Sequence, residues 1–294
     1  MKKFLEALAG MMYLFAWRVV RWLPEKAAYG VFYRIGNWLL KKNGKSVQRL
    51  RANLARVKPE YSEIELDSLV RKGMHSYLRY WCDTFRFPDW KRERIMTTVE
   101  TTNEYLLLEA LAAGKGAIVA LPHAGNWDHA GAFFCERGFN LVTVAERLKP
   151  EKLFIKFLRY REALGMEVLP LDGRVIATLA QRVRKGKLIA LVADRDLSQT
   201  GISVNFFGET AQMPAGPAVL AVNTGAPLLT AFISYTDRGI HIDFQPVEVN
   251  NDVIQEIVQK CADNFASAIA THPDDWHMLQ RIWIDSDFKE RAGV

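Results

Sequence analysis

His123 and Asp128 lie five positions apart in the segment PHAGNWD. A histidine that acts as a general base needs a pKa near the working pH and a partner that holds its ring in one tautomer. Asn126 could cap a helix whose first turn contains Asp128, and such a helix could fold Asp128 back toward the imidazole. Taken alone, however, the pattern H-x-x-x-x-D is more typical of a turn histidine beside a capping aspartate.

The sequence contains no recognisable covalent nucleophile to accompany this histidine. The serine motif G-x-S-x-G does not occur, and the three cysteines, Cys82, Cys135 and Cys261, lie in no nucleophile motif. They are also too few and too scattered for a disulfide framework or a cysteine-based zinc site. A base without a nucleophile suits an acceptor hydroxyl that directly attacks an activated carbonyl, such as a thioester.

The net charge of +6 is concentrated at the N-terminus, where residues 1–56 contain twelve basic residues and two acidic ones. Aromatic residues alternate with these charges, as in a helix that lies in the headgroup layer of an anionic membrane. From Leu8 to Trp17 there is no charge, but this stretch has only ten residues, whereas a spanning helix needs about 20. We therefore expect a peripheral, monotopic element on the cytoplasmic face of the cell membrane and no nucleic-acid partner. The alternative is an amphipathic helix packed on the protein's own core.

Helical signals fill the first hundred residues, including a capping-box pattern at Ser62 and Glu65. Short apolar runs bounded by turn residues then alternate with helical stretches; the runs are GKGAIVALPHAG, FNLVTVAE, GMEVLPL, KLIALVADRD, ISVNFFG and APLLTAFISYTDRGIHIDFQPVEV. This alternation predicts an α/β fold with a mainly parallel central sheet and helices on both faces. We expect one structural domain, with a helical, membrane-associating region at 1–100 and an α/β core at 101–294.

Charged side chains follow three of the predicted strands. They are His123 after 117–121, Glu146 and Arg147 after 141–145, and the group from Asp194 to Asp196 after 188–193. Functional residues of parallel α/β sheets gather at the carboxyl ends of the strands. The three placements therefore converge on one edge of the predicted sheet, which favours a functional site there.

Five blocks of the sequence occur in an order that resembles a known family. They are PHAGNWD, VAERLKPEKLFIKFLRYREALGMEVLPL, ALVADRD, VNFFGETAQMPAGPAVLAVNTGAPLL and WHMLQRIW. Together they resemble the bacterial late acyltransferases, which include lipid A acyltransferases and actinobacterial phosphatidylinositol mannoside acyltransferases. The second block, and an N-terminus without a full spanning helix, look closer to the mannoside enzymes.

This resemblance implies transfer of a long fatty acyl chain, such as palmitoyl, from acyl-CoA to a mannose hydroxyl of a phosphatidylinositol mannoside. It implies His123 as the catalytic base, Asp128 as the carboxylate of the motif, and a further acidic residue near the histidine. We place that residue at Asp194, an aspartate where the mannoside enzymes lead us to expect a glutamate. CoA leaves as a thiolate, so we expect no metal and no cofactor besides acyl-CoA as the donor substrate.

Four further residues are candidate substrate contacts: Glu146, Arg147, Arg161 and Arg195. Glu146 and Arg147 can line the crevice or close a surface ion pair. Arg161 lies on a predicted helix, where it contacts an anion or headgroup or is simply exposed. Arg195 can meet a phosphate, stabilise an oxyanion or pair with Asp128. The small and aromatic residues of 206–227 fit an acyl tunnel or ordinary core packing equally well.

Three alternative functions remain open. The first is a late acyltransferase that acts on lipid A with an acyl carrier protein as donor. The second is a metal-dependent glycosyltransferase, because the paired aspartates of DRD after a strand suit a divalent cation; this alternative leaves HAGNWD unexplained. The third is a lipid-binding protein without catalysis, in which His123 is structural.

Overall fold

The computed structural model describes residues 17–145, 151–196, 200–250 and 253–284. The α-helices in these ranges are α1 (17–22), α2 (Glu25–Lys42), α3 (Lys45–Val57), α4 (Glu63–Arg86), α5 (Arg92–Thr97), α6 (Glu104–Ala112), α7 (Trp127–Glu136), α8 (Glu151–Ala163), α9 (Val175–Arg184), α10 (Gly216–Thr224) and α11 (Ile254–Thr271). The strands are β1 (Val99–Thr102), β2 (Ala117–Leu121), β3 (Leu141–Ala145), β4 (Glu167–Pro170), β5 (Leu188–Val192), β6 (Ile202–Phe206), β7 (Glu209–Met213), β8 (Leu228–Tyr235) and β9 (Ile240–Val247). Short 3₁₀ turns cover Phe87–Asp89 and Pro273–Asp275.

A seven-stranded sheet in the order β1-β9-β8-β2-β5-β3-β4 forms the centre of the described structure. Neighbouring strands pair in parallel except for β8 and β9, which are antiparallel. Helices α9, α10 and α11 contribute to the core on one face, and α6, α7 and α8 contribute to the core on the other. Central strands buried on both faces read as nearly continuous apolar runs, as in the fully buried AIVAL of β2. The predicted fold class, α/β with a mainly parallel sheet, is confirmed.

The pairing of β2 with β5 sets the position of two candidate site residues. Leu121 at the end of β2 lies opposite Val192 at the end of β5. His123 and Asp194 each follow their strand end by two residues. Parallel, in-register neighbours therefore deliver both side chains to the same point on the carboxyl edge of the sheet.

Two short stretches differ from the strand pattern read in the sequence. The segment ISVNFFG, grouped there with the other strands, forms β6 and pairs with β7 in a separate antiparallel hairpin. Its alternation of buried Val204 and Phe206 with exposed Ser203 and Asn205 is typical of a hairpin with one solvated face. Strand β1, with the sequence VETT, lies at the edge of the main sheet, where polar residues are tolerated and its apolar signal is weak.

Helix α4 supports the N-terminal helices. It starts at a capping box in which Ser62 and Glu65 satisfy each other's backbone N–H groups. Helix α2 packs closely on it because Gly36 has no side chain. A Cβ atom at Gly36 would lie 3.1 Å from His75 Cδ2 and 3.3 Å from Leu78 Cδ1, tighter than ordinary van der Waals contact.

The N-terminal element has two faces in the part that the structure covers. Residues 1–16 lie outside the described residues, and no helix within the described ranges is both long and apolar enough to cross a membrane. The inner face of α2 packs on α4, as the core-packing alternative requires. Its outer face leaves Val31, Ile35 and Trp38 exposed by 36, 41 and 57%. Helix α2 therefore combines core packing with an exposed apolar surface.

Candidate active site

His123 and Asp194 form the centre of the candidate site. His123 Nδ1 lies 2.5 Å from Asp194 Oδ1, and the His123 backbone N–H donates to Asp194 Oδ2 at 2.9 Å. The Asp194 side chain is fully buried, whereas 25% of the His123 side chain is exposed. Because the carboxylate engages Nδ1, the ring nitrogen that can serve a substrate is Nε2. This arrangement is chemically suited to a general base whose tautomer is held by a carboxylate.

The buried Asp194 carboxylate accepts a third hydrogen bond, from the Trp276 indole N–H to Oδ2 at 2.9 Å. Burial is the largest influence on this group and acts to raise its pKa, because the ionised form loses water. The charge of His123 and the hydrogen bonds from His123 and Trp276 outweigh burial, so the pKa of Asp194 lies below its ordinary value. Asp194 is therefore ionised at neutral pH and can stabilise an imidazolium at His123.

The turn that carries His123 is held by the segment 275–277, which begins with the last residue of the 3₁₀ turn after α11. The Gly125 N–H donates to the Asp275 carbonyl at 2.9 Å, and the His277 N–H donates to the His123 carbonyl at 2.7 Å. The two stretches lie side by side and share an antiparallel bridge. The backbone of the candidate base is thus fixed on both sides of its turn.

The Asp275 carboxylate ties this segment to α4 and β8. Its Oδ1 accepts the Ser76 hydroxyl at 2.6 Å, and its Oδ2 accepts the Tyr235 N–H at 2.8 Å. Burial raises the pKa of Asp275 to about 6. Ser76 Oγ also lies 2.9 Å from His277 Nε2. Burial lowers the pKa of His277 to about 3, so this second imidazole beside the turn is neutral.

Asp194, and not Asp128, is the carboxylate that contacts the His123 ring in the described structure. This corrects the expectation that Asp128 orients the imidazole. Asp128 instead accepts a hydrogen bond from Arg161 Nε at 2.8 Å and one from the Tyr80 hydroxyl at 3.1 Å. Asp128 is 2% exposed, and a buried carboxylate requires such partners. Arg161, predicted as an anion or headgroup contact, is therefore paired with the motif aspartate.

The start of α7 explains why the motif aspartate faces away from the imidazole. The side chain of Asn126 accepts a backbone N–H of the first turn and so makes Trp127 the first residue of the helix. Asp128, the second residue, faces α4 and α8. Trp127 faces His123 instead, with the two rings edge to face and their centroids 5.7 Å apart. The spacing H-x-x-x-x-D thus brings the tryptophan, rather than the aspartate, beside the His123 ring.

The remaining predicted contacts are only partly covered by the structure. Glu146 and Arg147 lie outside the described residues, so their predicted roles stay predictions. Arg195 is at the carboxyl edge, where its Nη1 donates to Gln280 Oε1. The pairing of Arg195 with Asp128 considered from the sequence does not occur among the described contacts, because another guanidinium occupies that carboxylate.

Sequence reasoning missed Tyr80, Asp275 and Trp276, which hold the site residues. The block WHMLQRIW contributed to the family resemblance, but its residues received no role. Trp276 and Asp275 act on residues far away in the sequence, so local spacing gives no sign of their partners. The available signal was Trp276 as the first residue of a block shared with the family, preceded by an aspartate shortly after the last long helix.

An apolar cavity lies between α7 and the sheet, next to the candidate base. Its empty volume, including the opening to solvent, is about 670 Å³, and its lining comes from α6, α7, β2, β3, β5, β8, β9, Arg161 and Met166. The polar side chains among the lining residues are Thr143 and the Asp128–Arg161 pair. The segment 206–227, considered as an acyl tunnel, contributes nothing to this lining in the described structure.

Two features relate the cavity to the base and to the sheet. Trp127 lines the cavity and also faces His123, so one indole ring lies between the cavity and the imidazole. Ala190 and Val192 line the cavity, and both are only partly buried although β5 is an interior strand. The lining runs along β5 from Val192 to Leu188, which corresponds to about 13 Å of strand.

Comparison with known proteins defines the class. Over residues 2–284 the chain matches the family described as bacterial lipid A biosynthesis acyltransferase. It is 42% identical over 285 residues to the phosphatidylinositol mannoside acyltransferase of Mycolicibacterium smegmatis, covering 96% of this chain and 93% of that protein. It is also 42% identical over 278 residues to a Mycobacterium tuberculosis protein of the same name, covering 92% of this chain and 87% of that protein.

The fold, the site and these similarities together identify an enzyme of the acyltransferase class. The chain belongs to the bacterial lipid A biosynthesis acyltransferase family, and the resemblance seen in its five sequence blocks is confirmed.

The turn that carries His123 requires glycine at position 125, which gives a stability prediction. Gly125 has φ +54°, and a Cβ atom there would lie 2.4 Å from the Ile233 carbonyl oxygen. We expect Gly125→Ala to lower the free energy of unfolding by about 3 kcal/mol, from a left-handed backbone and an overpacked contact. Urea denaturation measures this change, and enzymatic activity should fall with it.

Gly114→Ala is the matched control. Gly114 also has a positive φ, +72°, but a Cβ atom there meets nothing within 4 Å. We expect a cost of about 1 kcal/mol from the backbone alone. Equal costs for the two variants would show that the contact with the Ile233 carbonyl does not constrain the turn.

Proposed function

We propose that this acyltransferase moves a long-chain fatty acyl group, such as palmitoyl, from acyl-CoA to a mannose hydroxyl of a phosphatidylinositol mannoside. The observation that carries the proposal is the His123–Asp194 pair beside an apolar cavity. The relatives named phosphatidylinositol mannoside acyltransferase support this acceptor. The proposed reaction uses acyl-CoA as a substrate and requires no resident cofactor.

In the proposed reaction His123 Nε2 takes the proton of the acceptor hydroxyl as its oxygen attacks the thioester carbonyl. The ionised Asp194 stabilises the imidazolium. Backbone N–H groups at the start of α7, or Arg195, are the proposed donors to the oxyanion. Collapse of the tetrahedral intermediate forms the ester C–O bond, breaks the C–S bond and releases CoA as a thiolate. His123 then returns its proton to the thiolate or to solvent.

The apolar cavity supports a long acyl chain as the transferred group. It opens to solvent and is lined mostly by apolar side chains of α7 and of the sheet, as is usual for sites that bind apolar ligands. Burial of each methylene contributes about 0.8 kcal/mol to binding, so a cavity with few polar side chains favours a hydrocarbon. In this proposal Trp127 forms the wall between the chain and the base.

The contacts of Asp194 argue against the metal-dependent glycosyltransferase alternative. That alternative requires carboxylate oxygens that are free to bind a cation. Both oxygens of Asp194 already accept hydrogen bonds, from the ring and backbone of His123 and from Trp276. The proposal therefore assigns this aspartate to the histidine.

The central prediction concerns His123→Ala. We supply labelled palmitoyl-CoA, or palmitoyl on acyl carrier protein, together with phosphatidylinositol mannosides or a lipid A precursor. For the wild type we expect transfer to the mannoside from the CoA donor. For His123→Ala we expect kcat to fall about 10²–10⁴-fold, the usual contribution of a general base, with unchanged folding by circular dichroism. Near-normal turnover by this variant would overturn the mechanism, and transfer to the lipid A precursor alone would overturn the acceptor.

A second prediction tests the cavity as the site of the acyl chain. Ala190 lines it from the middle of β5, so Ala190→Leu adds bulk to the cavity. We expect this variant to lower kcat/KM for palmitoyl-CoA about tenfold and to affect octanoyl-CoA much less, because the shorter chain needs less of the cavity. The octanoyl donor is the internal control, since a general loss of folding would lower both values equally. An unchanged ratio of the two would place the acyl chain elsewhere.

We further propose that the outer face of α2 binds an anionic membrane surface on the cytoplasmic side. Val31, Ile35 and Trp38 are spaced by one helical turn and are exposed. The same helix exposes basic side chains; they are Lys26, Arg34, Lys41 and Lys42. Apolar residues that enter the headgroup layer, bordered by cations, are typical of helices at a lipid surface.

This docking proposal predicts the behaviour of a double variant, Ile35→Asn with Trp38→Asn. We expect its binding to vesicles of phosphatidylglycerol and phosphatidylcholine, measured by sedimentation, to weaken at least tenfold, because it loses two apolar side chains that enter the headgroup layer on binding. The control is Ile64→Asn with Leu171→Asn, which removes two exposed apolar side chains elsewhere. Equal weakening in both double variants would show that α2 has no special role.

A further inference from the structure

We propose that Trp276 is a positioning residue of the reaction, whose indole N–H fixes the Asp194 carboxylate so that Oδ1 faces the His123 ring. The inference rests on the proposed role of His123 as a general base. It assigns a function to a tryptophan far from the base in sequence.

The hydrogen bonds to Asp194 divide its two oxygens between two tasks. Oδ1 is left to His123 Nδ1, whereas Oδ2 accepts both the His123 backbone N–H and the Trp276 indole N–H, each at 2.9 Å. Rotation about the terminal bond of an aspartate is intrinsically soft. Two donors that converge on one oxygen remove that freedom and keep the other oxygen directed at the ring.

Trp276 is itself held rigidly, so it can act as a fixed donor. Its side chain is fully buried, and its ring packs against Phe206 and Trp283 with centroid distances of 5.9 and 6.1 Å. Its backbone pairs with Ala124 in the catalytic turn. The donor and the turn that carries the base therefore belong to one packed unit.

An indole is a suitable donor for this task because it is neutral. It satisfies a lone pair of the buried carboxylate without cancelling the negative charge. A second buried aspartate near the base, Asp128, is paired with the guanidinium of Arg161, which neutralises it. The charge of Asp194 remains available to stabilise the imidazolium. In this inference Asp194 assists the base, whereas Asp128 has a structural role.

The groups around the pair set the sign of the pH effect. Two histidines lie near Asp194: His123, in the turn after β2, and His277, in the segment after α11. His277 is neutral because burial lowers its pKa to about 3, and Arg195, the next residue after β5, contacts Gln280. Loss of the indole donor makes the Asp194 carboxylate more basic. The His123–Asp194 pair then binds a proton at higher pH. Activity that needs the unprotonated base is then lost earlier as the pH falls.

The experiment compares Trp276→Phe with Trp283→Phe in the full chain. Trp283 is a matched control, since it is also buried, and its indole N–H donates at 2.9 Å to the Phe206 carbonyl instead of to the site. Both variants keep an aromatic ring and lose one indole donor. For Trp276→Phe we expect about tenfold lower kcat with little change in KM, and an acid limb of the pH profile shifted upward by about half to one pH unit. For Trp283→Phe we expect the acid limb of the wild type.

A measurement without turnover separates this inference from the proposed function. The His123 ring, assigned by comparison with His123→Ala, is titrated by NMR in the wild type and in both variants. We expect its midpoint to move upward in Trp276→Phe alone. A measurement on the wild type does not depend on whether the variants fold. There, the Trp276 indole resonance should titrate with His123, and the Trp283 resonance should not. An indole resonance of Trp276 that ignores this titration, or the same upward shift in both variants, would overturn the positioning role. Persistent transfer by His123→Ala would instead overturn the proposed mechanism.

Discussion

The burial of one ionised carboxylate, that of Asp194, constrains much of this structure. Burying an isolated charge costs several kcal/mol of desolvation free energy, which well-placed hydrogen-bond and charge partners must offset. Here the partners come from two other parts of the chain, the turn after β2 and the segment after α11. The parallel pairing of β2 with β5 brings the first partner into reach. The segment after α11 supplies the second partner, Trp276, and the hydrogen bonds of Asp275 fix the position of that segment.

Three buried aspartates surround the start of α7, and their partners differ. Asp194 has neutral donors besides the histidine, whereas Asp128 has a guanidinium. Asp83 accepts the Tyr29 hydroxyl at 2.5 Å and the Asn126 side-chain amide at 3.3 Å, and burial raises its pKa. The last contact is structural, because Asn126 caps α7. The environments of these three aspartates therefore differ because their hydrogen-bond and charge partners differ.

The sequence predicted the layout of the site better than its contacts. The parallel sheet, the apolar strands and the arrival of His123 and Asp194 at one edge follow from local patterns and from a general property of such sheets. The partner of the imidazole does not, because Trp127 and Asp128 are adjacent at the start of α7 and face different sides. The residue at which the helix begins decides which of them faces His123. The β6–β7 hairpin carried the same local signal as a sheet strand, and only pairing in three dimensions separates the two. The contact between Trp276 and Asp194 could not be predicted, because the two residues are distant in sequence.

Helix α4 contacts the region of the His123 turn with one face and α2 with another. Ser76, Tyr80 and Asp83 follow helical spacing, and they contact, in turn, Asp275, Asp128 and Asn126. A polar stripe on a helix usually faces solvent, so the sequence alone gives no reason to bury this one. Close contact at Gly36 fixes α2 on α4. Because α4 is hydrogen-bonded to residues around the His123 turn on one side and packed on α2 on the other, the position of the exposed face of α2 is fixed relative to His123.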